Sequence, residues 1–261
     1  MHNAALQACG LNYVYVPFDV APEGLGAAIA GLKELGVAGF NVTIPHKTHI
    51  MQYLDELDAS ADAAGAVNTV KNDFGRLSGY NTDGDGLIRS IANEFDFDVR
   101  GATIALIGAG GAARGAIAAL CRAGAGRIII ANRTHEKASL LASEMALRFP
   151  ETLLSVVPGF RELEECLTNI DVLVNTTSLG MDRDSVPFLR LSRLPRTARV
   201  YDMVYAPRVT PLLKEATGLG LKGANGLGML AAQGELAFTI WTGIHPPFGL
   251  MKSVLDGSCG Q

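Results

Sequence analysis

The chain has 261 residues, 48% of them hydrophobic and 18% charged, with a formal net charge of −4. That supplies a sizeable core for one or two domains, and the mild acidity argues against a nucleic-acid or anionic-membrane partner. No apolar run is long enough to span a bilayer, and Met1-His2-Asn3-Ala4 does not begin a signal peptide, so a cytoplasmic setting is expected.

Residues 1–8 have helical spacing, stopped by Gly10, and Tyr13-Val14-Tyr15-Val16-Pro17-Phe18 reads as a strand. Pro22 starts a helix that runs to Leu35 with a stripe of Leu25, Ile29 and Leu32, ended by Gly36. A short strand over 39–43 leads into Ile44-Pro45-His46-Lys47, and helical pattern returns over 48–54 and 58–64. Residues 67–70 and 77–81 read as two strands joined by a turn through Asp73-Phe74-Gly75-Arg76. Thr82-Asp83-Gly84 starts a helix reaching about Phe95, with Thr82 or Asp83 expected as its cap, and this helix is taken as the bridge between two domains. Strands are then expected over 103–107, 127–131, 155–158, 171–175, 200–204 and 222–224, with helices over 112–123, 135–149 and 212–219 between them. Helical pattern over 227–241 and 247–255 completes the chain. Strands alternating with helices through short turns predict an α/β protein with a parallel, doubly wound sheet.

The glycine turn after residues 103–107 is the most informative stretch. Gly108, Gly110 and Ala113 fit the G-x-G-x-x-G/A spacing of a dinucleotide-binding turn. Gly108 permits a sharp turn, and Gly110 lets a pyrophosphate approach the backbone. The following helix N-terminus offers free N–H groups to the phosphates. Alone, such a match also fits any tight α/β turn. At the end of the next strand, where NAD-binding folds place a carboxylate for the ribose, stand Asn132-Arg133-Thr134, with Lys137 one turn on. A guanidinium pairs with a 2′-phosphate that a carboxylate would repel, so these residues favour NADP(H) over NAD(H). The bland alternative is a solvated Arg133 and a capping Thr134. Arg114 either faces phosphate or lies in solvent.

Ligands of such sheets sit beyond the carboxyl ends of strands. Asn175-Thr176-Thr177-Ser178-Leu179-Gly180 and Asp202-Met203-Val204-Tyr205 occupy two such ends. Met203 suits either a nicotinamide face or a core, and Tyr205 either substrate or a domain surface. In the first domain, Asn41-Val42-Thr43-Ile44-Pro45-His46-Lys47 and Gly79-Tyr80-Asn81-Thr82-Asp83 place an ammonium and a carboxylate at strand exits. Converging on one oxygen, they would form a proton-transfer pair for hydride addition to a ketone. Spacing alone equally allows a surface lysine and a helix cap. Cys9, Cys121, Cys166 and Cys259 form no C-x-x-C pair, and no ligand spacing suggests a metal.

Taken in order, these motifs resemble the shikimate dehydrogenase family. The resemblance adds Gly65-Ala66-Val67-Asn68-Thr69, Thr210-Pro211-Leu212-Leu213 and Gly226-Leu227-Gly228-Met229-Leu230-Ala231-Ala232-Gln233, and covers essentially the whole chain. It implies reversible NADPH-dependent reduction of 3-dehydroshikimate to shikimate, a step of chorismate and aromatic amino acid biosynthesis. It also implies a substrate domain over 1–83 and 229–261, with a Rossmann-like NADP domain over 84–228 inserted in it. Lys47 and Asp83 are the implied catalytic pair, and Thr43, Asn68, Tyr205 and Gln233 the implied substrate ligands. Gly108, Gly110, Gly111 and Ala112 match the phosphate loop, Asn132, Arg133, Thr134 and Lys137 the 2′-phosphate clamp, and Met203 and Gly226 the nicotinamide end. The partner is a small molecule, and the reading leaves room for a homodimer. Family members normally carry a strand and a serine-rich loop before the Met-His-Asn-Ala-Ala motif that stands here at Met1. A longer natural chain, with weaker activity for these residues alone, is therefore expected. Two alternatives differ in kind: a quinate/shikimate dehydrogenase using NAD, and a non-catalytic NADP-binding regulator on the same scaffold.

Overall fold

Local sequence signals account for most of the elements. The computed structural model describes residues 1–181 and 189–258, so Cys259 lies outside it. The chain groups into two units, Met1–Gly86 with Leu230–Gln261, and Leu87–Met229.

The first unit starts with α1 (His2–Ala8) and α2 (Leu25–Glu34). Leu25 and Ile29, on the buried face of α2, share a core with Val42, Ile50, Val67, Val70 and Leu77. Then come β1 (Gly39–Asn41), β2 (Glu56–Leu57), α3 (Ala59–Ala64), β3 (Thr69–Asp73) and β4 (Arg76–Tyr80). They form a sheet in the order β1-β3-β4-β2, antiparallel except where β2 pairs with β4. Asp58 caps α3 by accepting from the Ser60 N–H, and Gly65, in the left-handed region at φ +62°, ends it.

The expected strand over 13–18 does not form. Tyr13, Val14, Val16 and Phe18 are exposed, and the Asn3 side chain takes the backbone of Tyr15 instead. The Tyr15 N–H donates to Asn3 Oδ1 at 2.7 Å, and Asn3 Nδ2 donates to the Tyr15 carbonyl at 2.9 Å. One side-chain amide thus satisfies the groups that a neighbouring strand would otherwise pair. The helical pattern over 48–54 narrows to a 3₁₀ turn, His49–Tyr53.

The chain leaves the first unit within α4 (Thr82–Phe95). The expected cap is corrected here. Asn81, one residue earlier, accepts from the Gly84 N–H, which leaves the side chains of Thr82 and Asp83 for other partners.

The second unit continues with β5 (Thr103–Ile107), α5 (Gly111–Arg122), β6 (Arg127–Ala131), α6 (His135–Arg148), β7 (Leu153–Val157), α7 (Phe160–Cys166), β8 (Val172–Asn175), β9 (Arg199–Asp202), α8 (Pro211–Gly218) and β10 (Lys222–Asn225). The six strands lie in the order β10-β9-β8-β5-β6-β7, all parallel. Ile104, Ala105, Leu106 and Ile107 are buried, as expected of a central strand covered on both faces. Strand order reverses between β5 and β8, so the crevice for a dinucleotide lies beyond Ile107 and Asn175. The chain returns to the first unit in α9 (Leu227–Thr242) and finishes with α10 (Leu250–Ser258).

Candidate active site

The hairpin of β3 and β4 brings two distant sequence motifs together. The Val42 N–H donates to the Asn68 carbonyl at 2.8 Å, and the Val67 N–H donates to the Lys47 carbonyl at 2.8 Å. These bonds hold the 43–47 turn beside Asn68. The register of the hairpin sets Thr69 opposite Tyr80, two residues before the start of α4. Asp83, in the first turn of α4, therefore faces the same turn.

The side chains complete the arrangement. Lys47 Nζ donates to Asp83 Oδ2 at 2.6 Å, and Asn68 Nδ2 donates to Asp83 Oδ1 at 2.9 Å. Asn68 is itself fixed: its Oδ1 accepts from the Thr82 N–H at 2.8 Å, and its amide also reaches Thr82 Oγ1 at 3.0 Å. Lys47 and Asp83 each keep 28% of their side-chain surface accessible, so a ligand can reach the pair. They border a cavity of about 360 Å³ that is also lined by Thr43, Asn68 and Gln233. Partial exposure means that solvent screens the ion pair, so its importance is positional more than energetic. An ammonium, a carboxylate, a hydroxyl and two amides around one hollow suit a small polyhydroxylated molecule. Tyr205 belongs to the second unit and is 45% exposed.

Sequence reasoning quoted Asn41 at the strand exit without giving it a role, and it gave none to His2. Asn41 lines the cavity, donates to the Asn68 carbonyl and Thr69 Oγ1, and accepts from the Tyr15 hydroxyl at 3.0 Å. Its place in the Asn41-Val42-Thr43 exit was the available signal. His2 also lines the cavity, is 5% exposed, and lies against Tyr15 and Trp241 with ring centroids 4.4 and 5.2 Å away.

Among the described residues, His2 Nδ1 has no hydrogen-bond partner. Burial first, and then the nearby α-amino charge of Met1, push its pKa down from 6.5 to about 4. The unfolded chain therefore binds a proton at this position below about pH 6.5 that the folded chain accepts only near pH 4. Stability from this group is complete above pH 6.5 and is lost as the pH falls through that window, by about 3 kcal/mol in all. Thermal unfolding followed between those two values should show this loss, and His2→Asn should flatten the profile. An unaltered profile in that variant would show that the titrating group lies elsewhere.

In the second unit, Gly108 follows β5 at φ +115°, and a Cβ there would lie 2.5 Å from Thr176 Oγ1. Only glycine fits that turn. A Cβ on Gly110 or Gly111 would meet no protein atom within 4 Å, so both border open space. Gly110 caps α5 without a side-chain hydrogen bond, leaving the first N–H groups of the helix, at Gly111, Ala112 and Ala113, to an external acceptor. This cradle fits a pyrophosphate. Arg133 and Lys137 are exposed just beyond β6, and neither forms an ion pair among the described residues. Asn132 Nδ2 donates to the Thr134 carbonyl and holds the loop that carries Arg133. Arg114 is committed elsewhere, to an ion pair with Glu144 of α6. A cationic loop one strand from a pyrophosphate cradle suits the 2′-phosphate of NADP. At the ends of β9 and β10, a Cβ on Gly226 would come within 2.2 Å of the Met203 carbonyl oxygen, so these two backbones touch.

Comparison with known proteins agrees with this geometry. Family models for the shikimate dehydrogenase substrate-binding domain, shikimate/quinate 5-dehydrogenase and the shikimate 5′-dehydrogenase C-terminal domain match residues 1–70, 90–181 and 226–255. The chain is 53% identical to shikimate dehydrogenase (NADP(+)) of Geobacter sp. (strain M21), over 98% of its own length and 88% of that protein's. A crystal structure of a shikimate dehydrogenase with NADP⁺ superposes with a TM-score of 0.89 at 43% identity, over 100% of this chain and 90% of the other. The Thermus thermophilus enzyme, solved with NADP(H) and shikimate, gives 0.86 at 33% identity, over 98% and 92%. Similarity that spans both units, on a fold with this cradle and this Lys–Asp pair, places the chain in the shikimate dehydrogenase family.

Proposed function

We propose that the chain catalyses the reversible NADPH-dependent reduction of 3-dehydroshikimate to shikimate, an oxidoreductase step in aromatic biosynthesis. The Lys47–Asp83 pair, 2.6 Å apart and braced by Asn68 beside a cavity of about 360 Å³, carries this reading. NADPH supplies the hydride when bound. Negative charge then develops on the substrate oxygen, and the Lys47 ammonium stabilises it and delivers the proton. Asp83 holds Nζ in place through a charge-assisted hydrogen bond, and in the oxidative direction the pair takes the alcohol proton. Thr43, Asn68 and Gln233 orient the ring hydroxyls, and Tyr205 supplies a further substrate contact. The α5 N-terminus with Gly108, Gly110, Gly111 and Ala112 holds the pyrophosphate. Asn132, Arg133, Thr134 and Lys137 hold the 2′-phosphate, and Met203 and Gly226 border the nicotinamide. Cys9, Cys121 and Cys166 are free thiols, which fits a cytoplasmic enzyme.

Steady-state assays with 3-dehydroshikimate, shikimate and quinate, each with both coenzymes, test the proposal. NADPH-dependent turnover of the shikimate pair is the expected result. A preference for NADH with quinate would favour the quinate/shikimate alternative, and absence of turnover the non-catalytic one. Arg133→Ala should raise KM for NADPH about 10- to 100-fold, the value of one charged hydrogen-bonding partner, and leave KM for NADH unchanged. An equal effect on both coenzymes would remove Arg133 from 2′-phosphate recognition.

A further inference from the structure

Beyond the reaction itself, Asp202 has chemistry that the scheme above leaves unused. It is a carboxylate with no solvent exposure at the C-terminal end of β9, directly opposite Asn175 at the end of β8. Its Oδ1 accepts from Asn175 Nδ2 at 2.9 Å and from the Val204 N–H at 3.1 Å, and its Oδ2 accepts from Thr210 Oγ1 at 2.6 Å. Burying a carboxylate is costly, and such groups are kept where several donors converge on them.

One donor, Asn175, ends β8, and the other two, Val204 and Thr210, lie in the segment that follows β9. Asn175 passes the constraint on, since its Oδ1 accepts from the Thr177 N–H and hydroxyl and its amide donates to the Leu179 carbonyl. Gly180, at φ +102°, rests on the same cluster, for a Cβ there would meet Thr210 at 3.3 Å and Asp202 Oδ2 at 3.8 Å. Thr210 caps α8, which fixes the far end of the 203–210 loop. Val204 in turn accepts from the Gly226 N–H at 3.2 Å. The loops carrying Met203, Gly180 and Gly226 are therefore tied to one buried carboxylate, whereas the Gly110 cradle and Arg133 lie beyond β5 and β6.

We infer that Asp202 is a positioning residue for the nicotinamide end of the cofactor site, holding residues 176–181 after β8 and residues 203–210 after β9 in the shape that receives it. The inference rests on the cofactor reading above. It separates the two ends of the dinucleotide, and two ligands can test it by calorimetry: NADPH, and adenosine 2′,5′-bisphosphate, which has no nicotinamide. Asp202→Asn should weaken NADPH about tenfold or more and leave the bisphosphate within about twofold of wild type, because only one group of hydrogen bonds has changed. Thr210→Val, which removes the Oδ2 donor alone, should act in the same direction, and Thr210→Ser should restore NADPH binding. It also carries the test should Asp202→Asn fail to fold. Equal weakening of both ligands, in step with a lower Tm, would reduce Asp202 to a structural role and overturn the inference. Unchanged NADPH binding would overturn it as well. A wild-type protein that binds neither ligand would defeat the cofactor reading itself, and this inference with it.

Discussion

Replacing Lys47 with alanine should lower kcat about a thousandfold, within the range by which positioned acid–base groups accelerate proton transfer. Charge appears on the substrate oxygen only as hydride arrives, so the ammonium is worth more in the transition state than in the ground state. Loss of such a group lowers kcat and kcat/KM by the same factor and leaves KM nearly constant. The fold should survive. The Lys47–Asp83 pair is partly exposed, so the change in stability should stay below about 1 kcal/mol. Asp83 also retains its bond from Asn68 in the variant. Lys47→Arg sharpens the test, because a guanidinium keeps the positive charge but gives up no proton near neutrality. If Lys47 acts as the acid, arginine will restore little of the lost turnover. If it acts through charge alone, arginine will restore much of it. Steady-state kinetics with NADPH at saturation, alongside a thermal melt, give these results, and an unaltered kcat in Lys47→Ala would remove the residue from the mechanism.

The ease with which each part could be read from the sequence follows its physics. The stretch Thr103-Ile104-Ala105-Leu106-Ile107 could hardly be anything but a central strand, since its last four side chains are all apolar and all buried. The glycine turn after it was equally legible, because the backbone conformation that requires Gly108 is a local property. Residues 13–18 show the limit of pattern reading. Alternation reports what a segment can do in a sheet, but a strand also needs a neighbour, and here the Asn3 amide stands in for one. Thr82 and Asp83 were misread for a related reason. Both residue types cap helices well, yet capping belongs to whichever side chain sits one position ahead of the first turn, which is Asn81. The seven-residue α7 was missed although Phe160, Leu163 and Cys166 recur at helical spacing and pack against the core. In the site, Lys47 and Asp83 stand 36 residues apart, and no spacing rule connects them. Hairpin register and the Val67–Lys47 backbone bond do so, and those are tertiary facts. The motif resemblance supplied the pairing that spacing could not.

Asp83→Asn should cost about a hundredfold in kcat, for a reason visible in its two oxygens. Oδ2 accepts from Lys47 and Oδ1 from Asn68, so each face of the carboxylate meets a donor. An asparagine amide has one accepting atom. Whichever way it turns, its NH₂ opposes either the Lys47 ammonium or the Asn68 amide, and one of these must shift. If the amide yields at Lys47, Nζ is no longer held over the substrate oxygen, and kcat falls while the shikimate KM changes little. If it yields at Asn68, that amide turns away from the cavity, and KM rises as well. The ratio of the two effects therefore reports which contact gives way. The double variant Lys47→Ala/Asp83→Asn decides whether the residues work as one unit. Asp83 acts on the reaction by holding Lys47, so once the lysine is gone its loss should cost little more, and the double variant should be about as slow as Lys47→Ala alone. Losses that multiply would mean two independent groups, each touching the substrate on its own, and would break the paired mechanism.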